Sequence, residues 1–251
     1  MKIRYIAVAT AILMLMPAPL SAKSLAEVSS DSVRRDGFNF PQNRPLRIMV
    51  LRPDVQVGSL STGGVDEPNA DWTAEARKQI AAALERSPEA GIAKFSFFED
   101  PSGDDDAYVA EYRSLFKAVS TAIMIHKLFP GNRLPTKKER FDWTLGPGAS
   151  HLGEIGNADY ALFVMTHDSY GTSGRKAAQI FGALLGAYVQ AGIHVGYAGL
   201  VDLRTGDILW FNADTAIGGD VRTAEGADKR VGELLLGFPA SGGPATAVTT
   251  K

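Results

Sequence analysis

The chain of 251 residues has no cysteine, only four histidines and almost no net charge. Without cysteine there can be no disulfide, thiolate metal site, Cys-ligated iron–sulfur cluster, cysteine nucleophile or lipid-modified N-terminal cysteine. Lys plus Arg number 26 against 28 Asp plus Glu, so nothing in bulk electrostatics favours nucleic acid as a partner. His126, His151, His167 and His194 show no H-E-x-x-H or comparable ligand spacing. No metal and no cofactor is therefore expected, and no catalytic residue is assigned.

What is present begins at the N-terminus. Lys2 and Arg4 precede an apolar run from Ile6 to Met16, and Pro17, Pro19, Ser21 and Ala22 follow. This is the layout of a secretory signal peptide, with cleavage expected after Ala22 and Ala26 as the alternative. The run is shorter than the roughly 20 apolar residues that span a bilayer. A periplasmic or secreted location is expected.

The remainder divides by composition. Residues 23–44 are mostly polar and are expected to form an extended leader with little core. Residues 239–251 are mostly Ser, Gly, Pro, Ala and Thr, the composition of a disordered tail. Residues 45–238 form one block without a long linker or a repeat. Leu46 to Leu51 is an apolar run stopped by Pro53, and 53–68 reads as a long loop. A helix is expected from an Asp71 N-cap, with Trp72, Ala76, Ile80, Ala83 and Leu84 on one face.

Ile92 to Phe98 reads as a strand. Asp104, Asp105 and Asp106 open a helix whose apolar face is Tyr108, Tyr112, Leu115, Phe116, Val119 and Ile123. Short acidic residues suit a helix N-terminus, which is the simpler account of them than a cation loop. A short helix is expected at 148–157, a strand from Tyr160 to Thr166, and a helix at 175–190. A strand at 193–203 and another from Asp207 to Asn212 make a late hairpin about Thr205-Gly206. The last helix covers about 223–237, with Ala227, Val231, Leu234 and Leu235 inward. The order predicts an α/β fold: a single layered domain, a mixed sheet of about five strands, the late β-hairpin and flanking helices.

Two stretches carry a resemblance. Gly156-Asn157-Ala158-Asp159-Tyr160-Ala161-Leu162-Phe163-Val164 enters a strand through an Ala-Asp-Tyr step. Ala198-Gly199-Leu200-Val201-Asp202-Leu203-Arg204-Thr205-Gly206-Asp207-Ile208-Leu209-Trp210 has the form L-V-D-x-x-T-G-x-x-x-W. Together they resemble periplasmic domains of the TolB N-terminal, LpoB and CsgG kind. The resemblance implies a small α/β periplasmic domain that binds proteins or assembles into envelope complexes; it does not imply an active site. LpoB-type and CsgG-type members are usually lipoproteins; this chain has no cysteine to acylate, so no lipid anchor of that kind is possible.

Candidate sites come from the residues themselves. His167, Asp168, Ser169, Gly171, Ser173, Gly174, Arg175 and Lys176 read as a polar, Gly-jointed loop that backbone N–H groups and two cations equip for an anion or small molecule. It is not a P-loop, and no G-x-S-x-G elbow makes Ser169 or Ser173 a nucleophile. His167 and Asp168 are strand neighbours and should point to opposite faces. Residues 177–201 hold no charged side chain, and Gly182 and Gly186 form G-x-x-x-G. A self-associating helix is one reading and a membrane-inserting pore segment another. Membrane insertion is disfavoured by Gln179, Gln190, His194 and the glycines. A buried helix leading into a central strand is the expected structural role. Lys137, Lys138 and Arg140 beside Phe141-Asp142-Trp143 form a second candidate interface, although Trp143 and Leu145 are more simply core residues.

Overall fold

The computed structural model describes residues 32–41, 43–128, 130–137, 140–215 and 218–239. The expected signal peptide, nearly all of the expected tail and Lys138 lie outside the described residues. Among those described, eight strands form one open mixed sheet with six α-helices. The strand count exceeds the expected five because three further strands lie in stretches that read as leader or loop.

The first is β1 (Val33–Arg34), which pairs antiparallel with the late strand β8 (Ile208–Asp214). Phe38 and Phe40 follow it into the core, where Phe40 meets Tyr160 and Phe238 ring to edge or tilted. The segment before residue 45 is therefore partly structural, not merely a leader. β2 (Ile48–Val50) is the expected apolar run. Directly after Pro53 the chain resumes as β3 (Asp54–Leu60), where a loop was expected. Val55 and Val57 join the core and Leu60, on the other parity, is buried too, but the Gly and Ser between them break the alternation and conceal the strand. Both β2 and β3 pair parallel with β6 (Tyr160–Gly171), one after the other along the same side. Proline has no N–H for the ladder, so the break falls at the Pro53 step.

β4 (Asp66–Pro68) turns back antiparallel on β3. Helix α1 (Ala70–Arg86) starts two residues earlier than Asp71 predicts. Asn69 is the N-cap: its backbone is extended and its side-chain oxygen accepts from the Trp72 N–H at 2.9 Å. Ser87 caps a short α2 (Pro88–Ala93), with proline at the first helical position where its missing N–H costs nothing. The expected strand at 92–98 therefore shrinks to β5 (Phe95–Phe97), parallel to β2 at the sheet's end.

Helix α3 (Asp104–Ile123) carries its three aspartates in the first turn and continues into a π-turn at Met124–Leu128. Val109, Phe116, Ser120 and Ile123 are buried on it, whereas Leu115 is exposed. Helix α4 (Ala149–Gly156) ends on Asn157 in the left-handed region, a conformation asparagine tolerates. Then come β6, α5 (Ser173–Leu184), β7 (Gly192–Asp202), β8 and α6 (Ala224–Leu234).

Side chains alternate across the strands and feed two cores. Ile48, Val50, Leu162 and Leu200 point to α1 and α6; Met49, Phe163, Tyr197 and Phe211 point to α3 and α4. Leu145 is buried in the second core and Trp143 packs against it, as expected. The late hairpin turns at Gly206, whose φ of 78° suits glycine. A Cβ there would overlap the Gly146 carbonyl, because Leu145 donates its N–H to the Gly206 carbonyl at 2.7 Å. Gly206→Ala should lower stability by more than about 1 kcal/mol in urea unfolding. An unchanged midpoint would refute this account of the turn.

Candidate functional site

β6 is longer than the strand expected at Tyr160–Thr166. His167, Asp168, Ser169 and Gly171, assigned to a loop by their polarity, continue it to Gly171 and pair with both β3 and β7. The pleat then separates these residues. Asp168 faces α6 and is fully buried. Arg230 of α6, also fully buried, donates from both terminal nitrogens to the two Asp168 oxygens at 2.8 Å. The Thr166 hydroxyl donates to Asp168 at 2.8 Å and also contacts Arg230. From β7, His194, whose side chain is partly exposed, donates its Nδ1–H to Asp168 at 2.7 Å. Burial by itself would raise the Asp168 pKa. The hydrogen bonds from His194 and Arg230 outweigh it and hold the carboxyl below its ordinary value.

His167 and Ser169 face the other way and share one carboxylate. Asp66 accepts from His167 Nε2 at 2.8 Å and from the Ser169 hydroxyl at 2.6 Å. A serine nucleophile needs the imidazole on its hydroxyl, with the carboxylate behind the imidazole. Here the carboxylate sits between them, so this trio bonds β4 to β6 and builds no hydrolytic triad.

Above Asp168, the Arg222 guanidinium lies 4.4 Å from the Trp72 ring centre and 4.3 Å from that of Tyr170. Asp220 grips it from one side. The Arg222 hydrogen bonds pull the Asp220 carboxyl down to about 2, against its partial burial. The Tyr170 hydroxyl accepts the Val221 N–H at 3.2 Å, and burial raises its pKa.

The remaining predicted residues open α5. Thr172 caps it, accepting from the Arg175 N–H. Gly174 packs against the Thr62 hydroxyl, where a side chain would not fit. Arg175 donates to the Thr62 and Gln190 carbonyls at 3.3 and 2.8 Å, while Lys176 is exposed. The eight residues thus fall into three environments rather than one cradle.

Helix α5 itself departs from expectation. It is not a buried helix: no residue on it is buried. Ile180, Phe181, Leu184, Leu185 and Tyr188 are 63–91% exposed. The first four follow the spacing of one helix face, which Tyr188 extends past the helix end. Gly186, at φ 72°, turns the chain back after the helix, and a Cβ on Gly182 would sit 2.7 Å from the Val189 side chain in the returning segment. The G-x-x-x-G pair therefore shapes the excursion from inside. Among the described residues no helix is long and apolar enough to cross a membrane. In the other candidate interface, Lys137 pairs with Asp142 at 3.0 Å and lies over the Trp143 ring, and Arg140 approaches the same carboxylate at 3.7 Å.

Sequence reasoning missed Asp66, Thr166, Asp220, Arg222 and Arg230. Arg230 had a local signal, a cation three residues after Ala227 on the inward stripe of the last helix. Asp66 had none, since its partners lie about a hundred residues away.

No family model matches the chain, and no curated protein matches it. Several solved structures share its course at low identity. The PelC dodecamer from Paraburkholderia phytofirmans is 10% identical over 82% of this chain and 98% of that one, with a TM-score of 0.35. The lipoprotein GNA1162 from Neisseria meningitidis is 18% identical over 68% and 78%, at 0.28. The LpoB C-terminal domain from Salmonella enterica is 16% identical over 72% and 85%, at 0.26. An LpoB domain is thus among the solved structures similar to this chain, and at these identities and TM-scores the likenesses carry no argument about its family or activity.

Asp168→Asn should destabilise the fold by about 3–5 kcal/mol, because it leaves the Arg230 charge buried and unpaired. The wild-type contribution of Asp168 should persist above about pH 4 and vanish as the pH falls through its depressed folded value. Urea unfolding of both proteins across this range checks the loss; a difference below about 1 kcal/mol at neutral pH would refute it.

Proposed function

We propose that the chain is an exported cell-envelope module that acts by protein–protein contact, with the apolar face of α5 as its docking element. One observation carries this reading. Five large apolar side chains stand exposed on α5 and the turn that follows it, and none of them belongs to either core. Burying such a face favours association by roughly 25 cal/mol for each Å² removed from water. Soluble monomers seldom leave a contiguous patch of this kind open, and such patches mark contact surfaces.

The surrounding geometry supports the same role. β6 and β7 carry α5 out beyond β8, whose pairing with β7 covers only Gly196–Val201. Thr172 caps the helix and Arg175 ties its base to two backbone carbonyls, so the face is presented in a fixed orientation. Export follows from the N-terminal layout of charge, apolar run and small residues. The docking partner is then met in the periplasm or outside the cell, without a lipid tether on cysteine.

Phe181→Ser with Leu185→Ser tests the reading, since neither side chain supports the fold. Thermal stability should stay within about 0.5 kcal/mol of wild type. Association, read by sedimentation velocity of the exported protein, should weaken at least about tenfold. Equal sedimentation of wild type and variant at every concentration, alone and with envelope proteins added, would overturn the proposal.

A further inference from the structure

The exposed face of α5 needs a partner with a complementary surface, and the chain itself carries one. We infer that a second copy of this chain covers α5, bound head to tail through its α2–β5 edge. The inference rests on the docking reading above and names its occupant.

Charge selects this pairing. From Ser169 to Val201 there is no acidic residue, while Arg175 and Lys176 stand at the base of α5. Residues 89–106 are the opposite: they hold six carboxylates, Glu89, Glu99, Asp100, Asp104, Asp105 and Asp106, against the single Lys94. Arg52 and Arg113 already occupy Asp100, and His151 lies 3.7 Å from Asp105, which leaves Glu89, Glu99, Asp104 and Asp106 as the acidic field.

Apolar surface coincides with that field. Ile92 is 52% and Phe97 37% exposed, at the end of α2 and on β5. β5 is the last strand in the sheet order, so the described strands pair it on one side only. The edge thus offers apolar side chains flanked by carboxylates, matching apolar side chains flanked by cations.

Pairing of two α5 helices with each other fits less well. Ile180, Phe181 and Leu184 lie in the C-terminal half of α5, Leu185 and Tyr188 follow its end, and both cations lie in the first turn. A parallel pair sets cation against cation. An antiparallel pair lays each apolar end beside the other helix's cations. Contact between two different surfaces avoids both. Such an interface is heterologous, and each copy keeps one free surface of each kind for a further copy.

The absence of native cysteine makes the test clean. Leu184→Cys and Phe97→Cys are prepared as separate full-length variants, with Ile92→Cys as a second edge position. Under mild oxidation each alone should remain uncrosslinked. Their mixture should give a disulfide-linked dimer, and the chain carrying both should give a ladder. Raising the ionic strength to about 0.5 M should cut the yield severalfold, since exposed charges are then screened within a few Å. Lys176→Glu should cut it as well.

Cross-linking of Leu184→Cys with itself would overturn the pairing in favour of a symmetric dimer. Flotation of the wild type with phosphatidylglycerol vesicles, with no cross-link in the mixture, would overturn it in favour of a lipid surface. No cross-link at either edge position, while Phe181→Ser still releases a different bound protein, would refute the second copy and leave the docking reading standing.

Discussion

The buried ion pair between Asp168 and Arg230 is the interaction on which the upper half of the molecule depends. Asp168 lies on the longest strand, and Arg230 reaches it from the last helix. Neither group touches solvent, so each requires the other. The pair adds little net stability, because desolvation offsets most of its attraction. It contributes specificity instead: only one placement of α6 on β6 sets both terminal nitrogens of Arg230 on the Asp168 carboxylate, which Thr166 and His194 also hydrogen-bond. Side-chain capping strengthens the same joint, since Asn212 of β8 donates to the Glu233 and Leu234 carbonyls at the end of α6.

Once that joint is set, the rest of the upper half follows. β6 runs past the region where β2 pairs with it, and β3 takes over as its parallel neighbour. Asp66 reaches across to His167 and Ser169, and Arg222 fills the space between Trp72 and Tyr170. Polar groups that resemble a catalytic set when strung along the sequence are therefore each held by a structural partner. α5 is the exception. It leaves the sheet between β6 and β7, and its apolar side chains find no core of their own.

The sequence made the main strands and helices legible where the apolar pattern was dense: β2, the first half of β6, β7, β8, α1, α3 and α6. It concealed β3 because Gly58 and Ser59 interrupt the alternation that Val55 and Val57 begin, and the buried Leu60 falls on the other parity. It concealed β1 and β4 because two or three residues make no period. The polarity of residues 167–171 suggested a loop, but those groups bond to partners distant in sequence, and a strand is what brings them there. The candidate docking face was legible only as an uncharged stretch. Whether such a stretch is buried or bare depends on what packs over it, which is a property of the whole fold and not of residues 177–201.

The central claim is that the α5 face, bare in the single chain, is covered when the protein works. Amide hydrogen exchange measures this directly, comparing residues 173–191 in dilute protein with the same residues in concentrated protein or with envelope proteins added. The account predicts that amides in this segment slow at least about tenfold in the associated state while those of α3 beyond its first turns do not change. Exchange in 173–191 that stays equally fast in every state would contradict it.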